Sequence, residues 1–377
     1  MSDNHRRYSA IRIALKQLYP KELTGNQARH LNTLAGLISG IVGSQRVNLP
    51  QNARKVPDGT RKESRVKRFA RWLQNERIEG QVYFMPFAEA LIAGLAHRTL
   101  ALAIDGSEVG RGCMTLMVSL IYRKRALPLV WVVRRGSKGH FPEKLHVALL
   151  EQVQALIPEG TDVVFLGDGE FDGVGLQAAV EQANWFYVCR TAQNTQLYEE
   201  GERFTFEELA IAPGTCLGIP EVLFTQAAYG PVLVIAWWQT GYQQPLYLVT
   251  NLDLVEEACQ WYRKRFRIET FFSDQKSRGF HLHRSHIADP LRLARLMIEK
   301  AKQSLKTGKY YKEWHDLDDH GKDDTGMICG GKIELFVEPI GIQPHLIIFG
   351  GGHVALPLAR LAARTGFRYT IVEDRQE

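Results

Sequence analysis

The amino-acid sequence predicts an α/β protein in three parts: a helical, basic domain over residues 1–95, a mixed α/β core over 96–298, and a short glycine-containing unit over 299–377. Three observations predict this division. Apolar residues recur at helical spacing before residue 95, β-branched apolar runs joined by short polar turns begin at residue 99, and a glycine-rich turn separates a strand from a helix near the end. Charge follows the same boundaries. Residues 1–95 hold 16 Lys+Arg against 7 Asp+Glu, while the remainder is slightly acidic and the whole chain carries +6. An excess confined to one segment favours a polyanionic partner for that segment.

Taken in order, residues 8–43 read as helices, with Ile11, Leu15 and Leu18 and then Leu31, Leu34 and Ile38 on apolar stripes broken at Pro20 and Gly25. A loop is expected around Asn48–Thr60. In the next stretch, GTRKESRVKRFARWLQNE, Val66, Phe69 and Leu73 form a stripe beside Arg61, Lys62, Arg65, Lys67 and Arg68, five basic residues within eight positions. A solvated helix face is the plain reading. On so basic a segment the cations are expected to contact phosphates, each contact releasing counterions.

Strands follow in TLALAID, MTLMVSLIYR and ALPLVWVVRR, then a helix from Glu143 to Ile157, the strand DVVFLGD, a helix over Gly173–Ala183 and the strand WFYVCR. The order βββαβαβ is that of an RNase H-like core. Residues 203–250 add more strands than such a core holds and are expected to form a β-rich insertion at about 200–250. A long helix should begin at Asp253, which with Glu256 makes a capping box, and end before Gly279. No apolar run reaches the length of a membrane helix and the start has no signal segment, so a cytoplasmic protein is expected. The five cysteines lie far apart without a C-x-x-C pair, which argues against a disulfide framework or a zinc knuckle.

Three acids coincide with this framework: Asp105 in LALAIDGS, Asp168 in VVFLGDGEF and Glu269 in the long helix. Asp-Gly is also a turn dipeptide, and Glu269 can simply pair with Arg265 four positions earlier. The helix shifts that balance. Tyr262, Arg265, Glu269 and Lys276 fall within a single arc of about 60° at roughly 100° per residue. A carboxylate flanked by two cations and a phenol suits a surface that meets a metal and nucleic-acid phosphates.

Tyr262-x2-Arg265-x3-Glu269-x6-Lys276, with AIDGS and FLGDGEFDG, resembles the Y-R-E-K group of bacterial insertion-sequence DDE transposases over about residues 1–298. The resemblance implies an RNase H-like catalytic domain and a helical DNA-binding N-terminal domain. It implies Asp105, Asp168 and Glu269 as ligands of two Mg2+ ions, and Tyr262, Arg265 and Lys276 as phosphate contacts. Transposon-end and target DNA are the implied partners, with a homodimer on DNA. It further implies a Trp presented to a flipped base by the insertion, here Trp237 or Trp238, with a core position as the alternative for both.

Residues 299–377 fit a different pattern. GMICGGKIELFVEPI and HLIIFGGGHVALPLARLAARTGFRYTIVEDR resemble the xanthine dehydrogenase accessory factor family (XdhC/CoxI type). Gly350 and Gly352 lie between an apolar strand and a helix, and Asp374 ends the next strand about 20 residues on, as in a dinucleotide fingerprint. The resemblance implies a partial Rossmann-like βαβ unit binding a dinucleotide or molybdenum cofactor, with Cys329 as a cofactor-contacting thiol or a buried inert one. The chain is thus expected to be a chimera with a truncated transposase core. Two other functions compete: molybdenum-hydroxylase maturation through the tail, and DNA binding without catalysis.

Overall fold

The computed structural model describes residues 2–273, apart from 20–22, 24, 45, 79, 111 and 137–140, and beyond them the strand segments 311–316, 332–337, 345–349 and 368–372. The chain divides into two compact units, Met1–Gln303 and Ser304–Glu377.

The N-terminal region is helical: α1 (Asp3–Leu18), α2 (Gly25–Ser44), α3 (Leu49–Arg54), α4 (Lys62–Gln74) and α5 (Gly80–Ala93). Its core forms where the apolar stripes meet, Ile11 and Leu15 against Leu31, Leu34 and Ile38, with Phe69, Trp72 and Leu73 from α4. The loop expected at Asn48–Thr60 contains α3. Six residues are too few for periodicity to announce it, but its cap is local chemistry: the Asn48 side chain accepts a hydrogen bond from the Gln51 N–H at 3.2 Å. Phe84 of α5 stands edge-on to Trp131, ring centroids 4.7 Å apart, and joins the helices to the sheet.

The sheet is built from β1 (Leu100–Gly110), β2 (Cys113–Tyr122), β3 (Arg125–Arg135), β4 (Val163–Gly167) and β5 (Phe186–Thr191), with α6 (Glu143–Gln154) and α7 (Val174–Gln182) in the connections. β1 to β3 form an antiparallel meander, and β4 and β5 run parallel to β1, giving the order 3-2-1-4-5. This is the RNase H-like order. Residues 196–250 supply β6 (Gln196–Glu199), β7 (Glu202–Thr205), β8 (Cys216–Phe224), β9 (Tyr229–Trp237) and β10 (Leu246–Thr250). They do not fold apart from the core: β10 pairs antiparallel with β5 and extends one sheet to ten strands.

Helix α8 (Val255–Ser273) starts two residues later than the capping-box pattern places it. It lies on the sheet face formed by Ala101, Ala103, Met117, Val164, Leu166, Val188 and Leu248, and buries Ala258, Cys259, Tyr262, Ile268 and Phe272 there. Each large apolar side chain so buried contributes roughly 1.5–3 kcal/mol before ordering costs. The opposite parity, with Leu102, Ile104, Val163 and Phe165, is buried as well, so the central strands are covered on both faces. Among the described residues no helix is long and apolar enough to cross a membrane.

In the second unit, β11 (Tyr311–Asp316) pairs antiparallel with β12 (Lys332–Val337), and β13 (His345–Phe349) pairs parallel with β14 (Arg368–Val372). Cys329, Gly350, Gly352 and Asp374 lie outside the described residues, as does Lys276.

Candidate functional site

Strand register brings the two aspartates together. Ala103 of β1 is level with Leu166 of β4, and both face α8; Asp105 continues that face and Asp168 follows just past the end of β4, near enough for its charge to act on Asp105. Leu166 is in turn level with Val188 of β5, which puts Arg190 next to Asp168. A row Asp105, Asp168, Arg190 thus crosses three neighbouring strands about 4.8 Å apart. Opposite it, the buried stripe of α8 is apolar at Ala258, Ile268 and Phe272, and is interrupted by Tyr262, Arg265 and Glu269. Polar groups in the middle of a packing stripe are costly unless the site uses them.

The facing rows interact. Arg265 Nη1 lies 3.7 Å from Asp105 Oδ2, and Arg265 Nη2 donates to Glu269 Oε1. The Asp105 carboxyl is raised to about 7, first by burial and then by the charges of Asp168 and Glu269, against the opposing pull of Arg265 and the Gly106 N–H. All three acids therefore share one electrostatic site. Burial lifts the Tyr262 hydroxyl above its ordinary range, while Arg265 and Arg190 counteract that lift. The Nε and Nη1 groups of Arg265 are buried and donate no hydrogen bond among the described residues, Nη1 being held only by the longer ion pair with Asp105.

Each acid also meets its ordinary structural role. Asp168 follows β4 and its Oδ1 accepts the Glu170 N–H at 3.0 Å, a turn that leaves its second oxygen without a hydrogen bond among the described residues. Gly167 makes that turn tight, since a Cβ there would fall 2.7 Å from Phe171 Cβ. Asp105-Gly106 is not a turn: it lies inside β1, paired with Met117 and Leu116. Gly106 is small for another reason, because a Cβ would come within 3.2 Å of the Phe141 ring. Phe141 is held there by its own N–H, which donates to Glu170 Oε1 at 2.6 Å.

Residues 96–301, more than half the chain, match the family described as Transposase DDE domain. The chain belongs to the transposase DDE domain family. A relative, Uncharacterized protein YqeB of Escherichia coli (strain K12), is 31% identical over 83 residues, which is 22% of this chain and 15% of that protein's length. Among solved structures, the piggyBac transposase synaptic complex with hairpin DNA is similar at 13% identity and a TM-score of 0.43, over 80% of this chain and 70% of that one. Ciona intestinalis endonuclease V with a 24mer DNA is similar at 10% identity and a TM-score of 0.30, over 49% of this chain and 88% of that one.

Asp105, Asp168 and Glu269 offer the oxygen donors that a hard divalent cation takes, and a cation beside Asp105 would counter the neighbouring negative charge that helps to raise its pKa. As placed, no three His, Cys, Asp or Glu side chains among the described residues stand close enough to form a metal cluster. Between two of the acids stands Arg265, whose guanidinium supplies the positive charge.

The other sequence-predicted residues divide. Trp237 is buried, packed into the α8 face with Arg263 4.7 Å from its ring, so it takes the core position and not a base-facing one. Trp238 is half-buried and its Nε1 donates to the Tyr242 carbonyl at 2.9 Å. Arg65 pairs with Asp58 at 3.0 Å, Arg68 pairs with the same carboxylate, and Arg65 also donates to the Val56 carbonyl. These two cations brace the loop before α4. Arg61 and Lys67 are exposed, Lys62 is half-exposed, and Arg71, one turn beyond Lys67, shares its outward side. Arg190 was not among the expected site residues. Aligning the alternation of WFYVCR with that of DVVFLGD would have found it.

Proposed function

We propose that this chain is a Mg2+-dependent DNA transposase whose catalytic acids are Asp105, Asp168 and Glu269. What supports the reading is that the charges of Asp168 and Glu269 both act on the buried Asp105, with Arg265 bridging Asp105 and Glu269, in a chain of the DDE family. Two Mg2+ ions held by these carboxylates would activate the attacking oxygen and neutralise the leaving one. The chain's own part is positioning and charge. Burial keeps the acids in a low-dielectric setting, the turn at Asp168 fixes one carboxylate oxygen, and Tyr262 with Arg265 orients substrate phosphates. Lys276 would add a third phosphate contact. Arg61, Lys62, Lys67 and Arg71 are the phosphate-facing cations of an N-terminal DNA-binding domain, and two copies act together at paired ends.

The domain limits 1–95, 96–298 and 299–377 are supported by where the family match ends, residue 301, and where the compact units divide, residue 303. For the tail, the parallel pairing of β13 and β14 supports a crossover connection of the βαβ kind between them.

Incubation of wild type and Asp168→Asn with a duplex ending in the element's terminal repeat, in Mg2+ and in EDTA, tests the activity. Mg2+-dependent strand cleavage by the wild type alone is expected. Equal cleavage by Asp168→Asn would remove the assignment.

A further inference from the structure

We propose that Arg190 binds a backbone phosphate of the DNA strand held at this site, opposite Tyr262, and so sets the direction in which that strand crosses the carboxylates. The inference rests on the transposase reading and deepens it.

Position comes first. Arg190 is opposite Leu248 in the antiparallel pairing of β5 with β10, and Leu248 packs against α8, so the backbone turns Arg190 to the α8 face. Helix α8 crosses the strands in a known sense. Near its N-terminal end Cys259 Sγ lies 3.9 Å from Cys216 Sγ on β8, and Arg263 lies over Trp237 on β9. Further along, Arg265 reaches Asp105 on β1. The helix residues Tyr262, Arg265 and Glu269 are therefore met in the same order as Arg190, Asp168 and Asp105 on the sheet. One end of the site is a guanidinium and a phenol, and the other is two carboxylates.

Availability comes second. Arg190 is exposed, and among the described residues its guanidinium makes no hydrogen bond or ion pair, with neighbouring Asp168 or with any other acid. Arg65, Arg68 and Arg265 all have carboxylate partners. Arg190 also lies within electrostatic reach of the Tyr262 hydroxyl. A fork of N–H donors beside a phenol, at the flank of an acidic site, matches a phosphodiester oxygen pair. It suits no cation. With acids at one end and Arg190 at the other, about 10 Å away across two strand spacings, the strand lies with its scissile phosphate on the acids and a nearby phosphate on Arg190.

The test is binding of the terminal-repeat duplex by wild type, Arg190→Ala, Arg190→Lys and Arg203→Ala, followed by fluorescence anisotropy in Ca2+ across a series of KCl concentrations. Loss of one phosphate contact flattens the slope of log K against log salt by about 0.9. Arg190→Ala is expected to show that flattening with about a fivefold to tenfold loss of affinity, Arg190→Lys to keep the slope but recover only part of the affinity, and Arg203→Ala, on β7, to match wild type. A weaker Arg190→Ala with an unchanged slope would mean that the residue only supports its neighbours, and would overturn the proposal. So would an Arg190→Ala indistinguishable from a wild type that binds and cleaves, which leaves the transposase reading intact. A wild type that neither binds nor cleaves overturns both.

Discussion

Helices α4 and α8 carry similar runs of basic residues and use them differently. In α4, KESRVKRFARWLQ, Arg65 and Arg68 turn back to Asp58, an acid seven and ten residues away. The pairing ties a helix to its own preceding loop. In α8, VEEACQWYRKRFRIETFFS, Arg265 reaches Glu269 one turn on and Asp105 across 160 positions of sequence. The first arrangement neutralises an acid that the fold itself supplies. The second leaves an acidic site undercompensated, with Asp105 raised to about 7 and Arg265 Nε and Nη1 without a hydrogen bond among the described residues. Counts of Lys and Arg do not separate the two cases; the location of the partner acid does.

The comparison breaks most visibly at the acids themselves. Glu269→Gln or Asp168→Asn should lower end cleavage by at least about a hundredfold, judged by product formed per hour, because even groups behind metal ligands cost 10- to about 100-fold. Arg65→Ala, by contrast, should leave the rate of cleavage on bound DNA unchanged.

Next in size is the pH response of the metal-free protein. A carboxyl raised from its ordinary 3.8 to about 7 favours the folded state when protonated. That contribution is complete below about pH 4 and is lost as pH rises through 7, a change on the order of a few kcal/mol. Urea denaturation in EDTA should therefore show wild type losing stability relative to Asp105→Asn between about pH 4 and 7. Parallel curves for the two proteins would refute the shared electrostatic site.

On the α4 side, Asp58→Asn should destabilise the helical domain by about 2 kcal/mol, read by denaturant midpoint, since two part-buried guanidiniums lose a charged acceptor. The burial of Asp58 acts to raise its pKa, but hydrogen bonds from Arg68 and Thr60 prevail and hold it below the usual range. Its contribution is therefore present above about pH 4 and lost in more acidic solution. The smallest effects belong to the outward cations. Lys67→Ala and Arg71→Ala should each reduce the salt slope of DNA binding by about one with little change in stability, whereas Arg65→Ala should do the reverse.

These contrasts also show what the sequence discloses. Tyr262, Arg265 and Glu269 were legible because a helix has one fixed period, so spacing alone places them on one face. Asp105 and Asp168 were legible as acids at the ends of apolar runs, although β1 continues to Gly110 beyond the point where Asp105 was expected to close it. Arg190 was not, because its place depends on register between two strands, and register is a tertiary quantity. The insertion's strands could be read as strands, but nothing local announces that β10 will pair with β5. Arg65 and Arg68 looked like phosphate contacts because Asp58 lies in a stretch whose loop conformation decides where its carboxylate points. Trp237 and Trp238 are neighbours in sequence, but Trp237 closes the buried run of β9 and Trp238, just past the strand, is half-exposed.

The central claim is that the sheet row and the helix row form one metal site. Calorimetric titration of Mg2+ into EDTA-stripped wild type, Asp168→Asn and Glu269→Gln tests it most directly, because one ligand comes from each row. Saturable binding by wild type, weakened at least tenfold in both variants, is the predicted result. Binding that is untouched by Glu269→Gln, or absent from the wild type, would contradict it.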